Sequence, residues 1–259
     1  MKITLQCPVC KSFYENNPGV NRFGIEYDLI YNSDNNITLI DDSRRGHFCV
    51  VYFTNYKFDL LFESGLSAIH DLYFREAVAS IASSLERFYE YCIEILTFDL
   101  NKENYLKIWK NVANQSERQI GAFYFLYFNA FNSLPNHLSE KDTSFRNKVV
   151  HKGYFPTKDE TFAFTKIVSQ IIESNYNKLY GKFAEQISSH YQNYEQSLLQ
   201  NAINFAKKES KEIHEIYNFE KNPFERTLQT FLFQDKKFDG KNFENIENYI
   251  REFYNKRLD

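Results

Sequence analysis

The chain has 259 residues, of which 43% are apolar and 25% charged, and its formal net charge at pH 7 is −3. This length provides one large domain, or one medium domain with a small appendage, and the 26 Phe and 19 Tyr residues supply large side chains for a core. The nearly neutral charge excludes a general nucleic-acid coat protein, which would be basic, so any contact with RNA must use a few local cations.

The first segment, Met1–Cys7, lacks the apolar run of a secretory signal peptide. No stretch of the sequence approaches the ~20 apolar residues that are needed to cross a bilayer. The four cysteines do not have the spacing of a disulfide framework. We therefore expect a cytoplasmic protein that has no membrane partner.

Residues 1–55 are predicted to form a small β-rich domain. The alternating runs Ile25–Tyr31 and Ile37–Ile40 flank the turn-rich segment 32–36, which predicts a hairpin. Phe48–Phe53 is a third β-rich run. Because so few strands cannot enclose an independent core, this sheet requires a metal ion or packing against the rest of the chain.

Two groups of cysteine and histidine residues indicate a metal site in this domain. Cys7-Pro8-Val9-Cys10 has the shape of one half of a zinc ribbon, in which a tight turn presents two thiolates. The candidates for the second half are His47 and Cys49, although neighbours two apart in a strand rarely bind one tetrahedral centre. The site is therefore either structural zinc on Cys7, Cys10, His47 and Cys49 or a degenerate ribbon that has lost its metal, and neither is catalytic.

From about residue 57 the apolar period becomes helical, and residues 56–259 are predicted to form one helical domain with long C-terminal helices. A helix over about 58–70 contains Gly65, which we interpret as a point of close packing. The next helix, over about 73–97, has one apolar stripe at spacings of three and four, formed by Ala77, Ile81, Leu85, Phe88, Cys92 and Ile95.

Residues 102–133 carry one helix or a pair of helices, broken near Gly121 and ended before Pro135. The segment Asp142–Ser144 then offers N-cap residues for a short helix. That helix is expected to end at Gly153.

A long helix is predicted to begin at about residue 158, where Thr157 and Glu160 have the spacing of a capping box. Helical patterning continues to the C-terminus, with a break at Asn222-Pro223 and a loop at Phe238–Gly240.

The short helix carries the residues that indicate chemistry. Asn147 and His151 are four apart and share a helix face, and the long side chain of Arg146 reaches towards it. A guanidinium binds phosphate through two parallel hydrogen bonds, and an imidazole exchanges protons near neutral pH. Because the 2′-hydroxyl of RNA can serve as the nucleophile, this set suits RNA cleavage without a metal. Lys148 and Lys152 add positive potential for substrate binding.

A surface helix on which His151 is merely exposed or hydrogen-bonded is the alternative, and the spacing alone does not distinguish the two. The order of the predicted elements favours the catalytic interpretation. Phe145–Gly153 resembles the Arg-x4–6-His signature of the HEPN superfamily, in which Asn often follows Arg, and Ala68–Phe88 resembles the opening helices of such domains. The resemblance covers about residues 57–180. It implies a mainly α, HEPN-like helical bundle with the β-rich, ribbon-like domain as an appendage.

For function, the resemblance implies an endoribonuclease whose catalysis needs no cofactor and whose two copies combine their Arg-x4-His helices in one cleft. Arg146 and His151 would be catalytic, and Asn147 would orient them or contact phosphate. Glu86 would either support Arg146 or be a solvated helix glutamate. HEPN toxins paired with a nucleotidyltransferase carry Tyr two residues after His, where this chain has Gly153, which speaks against that regulatory scheme.

The family's frequent setting is a bacterial toxin or an antiphage defence system. The expected partners are therefore RNA, a second copy of the chain and a regulatory protein. The alternative is a catalytically inactive HEPN-like module for dimerisation or RNA binding, with the small sheet as an adaptor. A helical-repeat scaffold is opposed by the lack of a repeat of fixed period.

Overall fold

The computed structural model describes residues 2–17, 26–30, 36–42, 45–209, 212–213 and 215–218. Its elements are, in chain order, β1 (Lys2–Gln6), α1 (Pro8–Asn16), β2 (Glu26–Ile30), β3 (Ile37–Asp42), β4 (His47–Tyr52), α2 (Lys57–His70), α3 (Phe74–Leu96), α4 (Lys102–Val112), α5 (Ser116–Phe131), α6 (Glu140–Lys152), α7 (Lys158–Lys208, kinked at Phe183) and β5 (Glu215–Asn218). The prediction of a mainly α protein with a small β-rich part is confirmed. The predicted break at Asn222-Pro223 and the loop at Phe238–Gly240 lie outside the described residues.

The described residues fall into two compact units. The helical unit comprises residues 56–190, and the N-terminal unit comprises the described parts of residues 2–55 together with those of 191–218. The first boundary between the two units follows Asn55. The second boundary, after His190, differs from the expectation of one helical domain over residues 56–259, because the last part of α7 and β5 belong to the N-terminal unit.

The strands pair differently from the expected hairpin. β2 pairs antiparallel with β1, and β3 pairs antiparallel with β4, so the hairpin prediction for the runs before and after residues 32–36 is wrong. A buried asparagine, Asn36, contributes to this pairing. It has φ +50°, its carbonyl accepts from the N–H of Phe53 at 2.9 Å, and its Nδ2 donates to the carbonyls of Phe53 and Asn55, both at 3.1 Å. These bonds tie the start of β3 to the end of β4.

The core of the N-terminal unit lies on one face of β4. Val50 and Tyr52 pack against Leu198 and Ala202 of α7. Helical patterning was expected to reach the C-terminus, but α7 ends at Lys208 and is followed by β5, which pairs parallel with β4. The sheet buries apolar surface that its own few strands could not cover.

In the helical unit, α2 and α3 meet at the predicted glycine. A Cβ on Gly65 would lie 2.6 Å from the Ile81 side chain and 3.2 Å from the Ala77 carbonyl oxygen, so the close-packing interpretation is confirmed. All six residues of the predicted α3 stripe are buried. Across the described part of the chain, no helix is both long enough and apolar enough to pass through a lipid bilayer.

The break between α4 and α5 falls at residues 113–115, and the predicted break at Gly121 is wrong, since Gly121 lies inside α5. A buried side chain stabilises the observed break. Nε2 of Gln119 donates to the Ala113 carbonyl at 2.7 Å and satisfies an acceptor at the end of α4. Because a glycine inside a helix is tolerated at modest cost, Gly121 was a weak signal.

Two glycine-to-alanine substitutions test the close contact between α2 and α3. Gly121→Ala should raise the free energy of unfolding by about 0.5–1 kcal/mol, since nothing lies within 4 Å of an added Cβ there. Gly65→Ala should lower it by about 1 kcal/mol, because overpacking costs about 1–3 kcal/mol against a helix-propensity gain of about 1 kcal/mol. Urea unfolding measures both, and equal stabilisation by the two changes would contradict the contact.

Candidate active site and metal centre

The helix that carries the predicted catalytic residues, α6, begins earlier than expected. Its N-cap is Ser139, whose Oγ accepts from the Asp142 N–H at 3.2 Å, so the prediction of a cap within Asp142–Ser144 is wrong. The reason is that Ser139 and Asp142 bond to each other as a local cap. The helix ends as predicted at Gly153, whose φ of +69° is left-handed. In α6, all of whose residues are described, Val149 alone is buried.

Four of the predicted site residues meet around one guanidinium. Nη2 of Arg146 donates to Oε1 of Glu86 on α3. Nη1 of Arg146 donates to Oδ1 of Asn147 at 2.9 Å and lies 3.5 Å from Nε2 of His151. Because arginine has only donors, a hydrogen bond across this 3.5 Å separation can run only from the guanidinium to the imidazole. Glu86 is therefore a partner of Arg146 and not a solvated helix glutamate.

Exposure differs within this cluster. The side chains of Arg146 and Glu86 are 24% and 19% exposed, while His151 is exposed to solvent. The guanidinium is thus held in place by a carboxylate, and the imidazole beside it can be reached by a substrate. Lys148 and Lys152 are exposed on the same helix, and neither takes part in the hydrogen bonds around Arg146.

The sequence did not indicate the polar residues that hold Glu86 in place. Oε2 of Glu86 accepts from Oγ of Ser116, the first residue of α5, at 3.1 Å. One turn further along α3, Glu90 accepts from Arg87 at 2.5 Å and from Gln119 at 2.7 Å. Burial raises the pKa of the Glu90 carboxyl, although Arg87 opposes the effect. One sequence pattern could have indicated this contact: Glu86 and Glu90 are four residues apart, so both carboxylates lie on one face of α3 and require polar partners there.

A cavity of about 240 Å³ lies between α3, α5 and α6, and Glu86 and Arg146 form part of its wall. We call it the α3–α6 cavity. Its other lining residues include two aromatic rings, two aliphatic side chains and two hydroxyls, from Tyr89, Tyr124, Leu85, Leu138, Ser116 and Thr143. Burial raises the pKa of both phenols, so they remain protonated at neutral pH.

The predicted metal ligands come together in the N-terminal unit. The Sγ atoms of Cys7 and Cys10 and a ring nitrogen of His47 lie within 4.8 Å of one another. Nδ1 of His47 is 3.9 Å from Sγ of Cys7 and 3.3 Å from Sγ of Cys10. Cys7, Cys10 and Cys49 are all buried, and none of the three forms a disulfide. The group of Cys7, Cys10 and His47 can bind a metal ion, since thiolate and imidazole are the ligands that zinc prefers.

The local structure of this group differs from the expected ribbon turn. Cys7 directly precedes α1, Pro8 is the first helical residue and Cys10 lies in the first turn. Proline is favoured at the first helical position, because the N–H that it lacks would have no partner within the helix there. Pro8 therefore indicates the start of a helix and not a ribbon turn. His47 and Cys49 are two apart in β4 and therefore share one side of the strand.

The electrostatics of the group favour thiolate. A hydrogen bond from Cys49 lowers the pKa of Cys7 to about 5, against the opposing effect of burial, and bonds with Cys10 and His47 act in the same direction. Thiolate is the form that binds metals. The contact also shows that Cys49 adjoins the group, so the expected difficulty of its x1 spacing from His47 does not keep it away.

Comparison with protein-family models, with curated proteins and with solved structures finds no match to this chain. Membership of the HEPN superfamily and ribonuclease activity therefore stay predictions, based on the Arg146–His151 motif and on the segment Ala68–Phe88.

Proposed function

We propose that this chain is a HEPN-type endoribonuclease that cuts RNA without a catalytic metal and acts as a homodimer. In the cell it would serve in the cytoplasm as a bacterial toxin or antiphage defence component. A regulatory protein would control its activity. The observation that carries the proposal is the contact of one guanidinium with Glu86, Asn147 and His151. The arrangement puts a fixed phosphate-binding group next to an exposed imidazole.

In the proposed reaction the 2′-hydroxyl of RNA attacks the adjacent phosphorus. A neutral His151 takes the hydroxyl proton, the O2′–P bond forms, and the P–O5′ bond breaks. The products are a 2′,3′-cyclic phosphate and a 5′-hydroxyl. His151 of the second copy, in its protonated form, gives a proton to the leaving 5′-oxygen. Arg146 donates to the phosphate oxygens, whose charge grows in the transition state.

The geometry around Arg146 is compatible with this sequence of events. A separation of 3.5 Å between Nη1 and the His151 ring is beyond the usual range for an N–H···N or N–H···O bond, so a phosphate oxygen can replace that contact at little cost. Nη2 stays bonded to Glu86 meanwhile. Asn147 then orients the guanidinium, and the exposed Lys148 and Lys152 attract the RNA backbone.

We also propose that the metal group binds a structural zinc ion, with Cys7, Cys10 and His47 as ligands and Cys49 as the fourth. Three observations support this proposal: the spacing of the donor atoms, the lowered pKa of Cys7 and the small size of the sheet, which gains stability from a bound ion. Zinc would join the start of α1 to β4.

Substitution of the histidine tests the nuclease. Purified wild-type protein should cleave RNA in a magnesium-free buffer containing EDTA, and His151→Ala should slow cleavage by about 10²–10⁴-fold, the usual contribution of a general base. His70→Ala is the matched control, since His70 lies on α2 and pairs with Asp71. Cleavage by His151→Ala at the wild-type rate would assign the activity to a contaminant or to another site. Binding of RNA without cleavage by the wild type would leave the inactive binding module as the better account.

Arginine substitutions separate catalysis from stability. The Arg87–Glu90 pair has side-chain exposures of 28% and 18%, close to the 24% and 19% of Arg146 and Glu86. Arg146→Ala and Arg87→Ala should therefore destabilise the fold similarly, while Arg146→Ala alone should reduce the cleavage rate by about 10²–10³-fold. If both variants lost activity equally, the loss in Arg146→Ala would result from destabilisation of the fold and not from a catalytic role of Arg146.

Zinc content tests the metal proposal. Elemental analysis should find one zinc per wild-type chain and none in Cys10→Ser. Cys92→Ala is the control, because Cys92 is buried in α3. The pKa of the Cys7 thiol is lowered to about 5, so this ligand is already thiolate at neutral pH and should take up zinc there. A Cys7–Cys10 disulfide in freshly purified protein, or no zinc after refolding with the ion, would refute the site.

A further inference from the structure

The α3–α6 cavity adjoins the proposed catalytic residues but takes no part in the chemistry described so far. We infer that it is a base-binding subsite, which holds one unpaired base of the RNA beside the phosphate at Arg146. The inference rests on the proposed ribonuclease function and adds to it how the substrate is held.

Size favours a single base as the occupant. The cavity measures about 240 Å³, and an apolar cavity of about 150 Å³ is enough to bind benzene. Pockets for drug-sized ligands usually begin at about 300 Å³. A heterocyclic ring therefore fits, while the ribose and the phosphate have to remain outside.

The lining has the chemistry that recognises a base. Tyr124, which is half-buried, presents an aromatic ring beside aliphatic side chains, and unpaired bases stack on such rings. Tyr89 forms part of the inner wall, since it is buried and its ring stacks on Phe123. The hydroxyl of Thr143 can donate to a base edge or accept from it. Oγ of Ser116 and the carboxylate of Glu86 bond to each other and keep further lone pairs that can accept from a base. Apolar walls with a few polar groups are typical of a ligand pocket.

The cavity lies next to the place where the scissile phosphate would bind. Arg146 lines the cavity and also contacts His151, so one side chain belongs to both places. A phosphate bound to this guanidinium is within one nucleotide of the cavity mouth. Thr143 is exposed and lines the cavity, which places it at the rim, one turn of α6 before Arg146. The volume of about 240 Å³ fits one base and not a base pair, so a base held in the cavity is unpaired.

Mononucleotide binding tests the inference without requiring cleavage. The probes are the four common nucleoside 5′-monophosphates, with ribose 5-phosphate as the probe that lacks a base, and calorimetry measures the affinities. At least one nucleotide should bind about fivefold or more tightly than ribose 5-phosphate, as stacking of one base predicts. Thr143→Trp should remove this difference by filling the rim. Ser144→Trp is the matched control, because Ser144 is equally exposed on α6 and does not line the cavity.

The outcomes separate this inference from the nuclease proposal. Equal affinity for ribose 5-phosphate and all four nucleotides, or a base preference that survives Thr143→Trp, would overturn the subsite even if RNA is cut through His151. A base preference that Thr143→Trp removes and Ser144→Trp keeps supports the subsite. It does so even if the wild-type protein leaves RNA intact, a result that would refute the nuclease alone.

Discussion

The ion pair between Arg146 and Glu86 determines where the site lies. α6 buries only Val149 among its residues, all of which are described, so packing alone fixes its position weakly. Glu86 joins it to α3, and Ser116 joins the same carboxylate to α5. A part-buried pair of this kind adds little net stability, because desolvation offsets the attraction. Its effect is geometric: it holds a guanidinium beside an exposed imidazole and at the wall of a cavity.

The N-terminal unit depends on the two sides of β4 in a similar way. Val50 and Tyr52 face the last part of α7 and complete an apolar core. His47 and Cys49, on the other side by strand alternation, meet the cysteines at the start of α1. The unit therefore combines a small apolar core with a cluster of thiol and imidazole side chains that could bind a metal ion. The apolar core alone contributes little to stability, and a small sheet of this kind needs further support, such as a bound metal ion, to be stable.

Local signals in the sequence predicted the elements that depend on local physics. The apolar stripe of α3, the capping box of α7 and the glycine that ends α6 all follow from spacing within one segment. Strand pairing and the break between α4 and α5 depend on distant side chains, such as Asn36 and Gln119, and could not be predicted locally. For the site, the sequence indicated Arg146, His151, Asn147 and Glu86. Ser116 and the cavity emerge only when α3, α5 and α6 pack together.

The most direct measurement changes the substrate and leaves the protein intact. An RNA oligonucleotide that the protein cuts at a defined position is compared with the same oligonucleotide carrying a single 2′-deoxynucleotide on the 5′ side of that bond. If Arg146 and His151 promote attack by the 2′-hydroxyl, the deoxy substrate resists cleavage at that bond, and the all-RNA products carry 2′,3′-cyclic phosphate and 5′-hydroxyl ends. Equal cleavage of both substrates, with 5′-phosphate ends, would contradict the account.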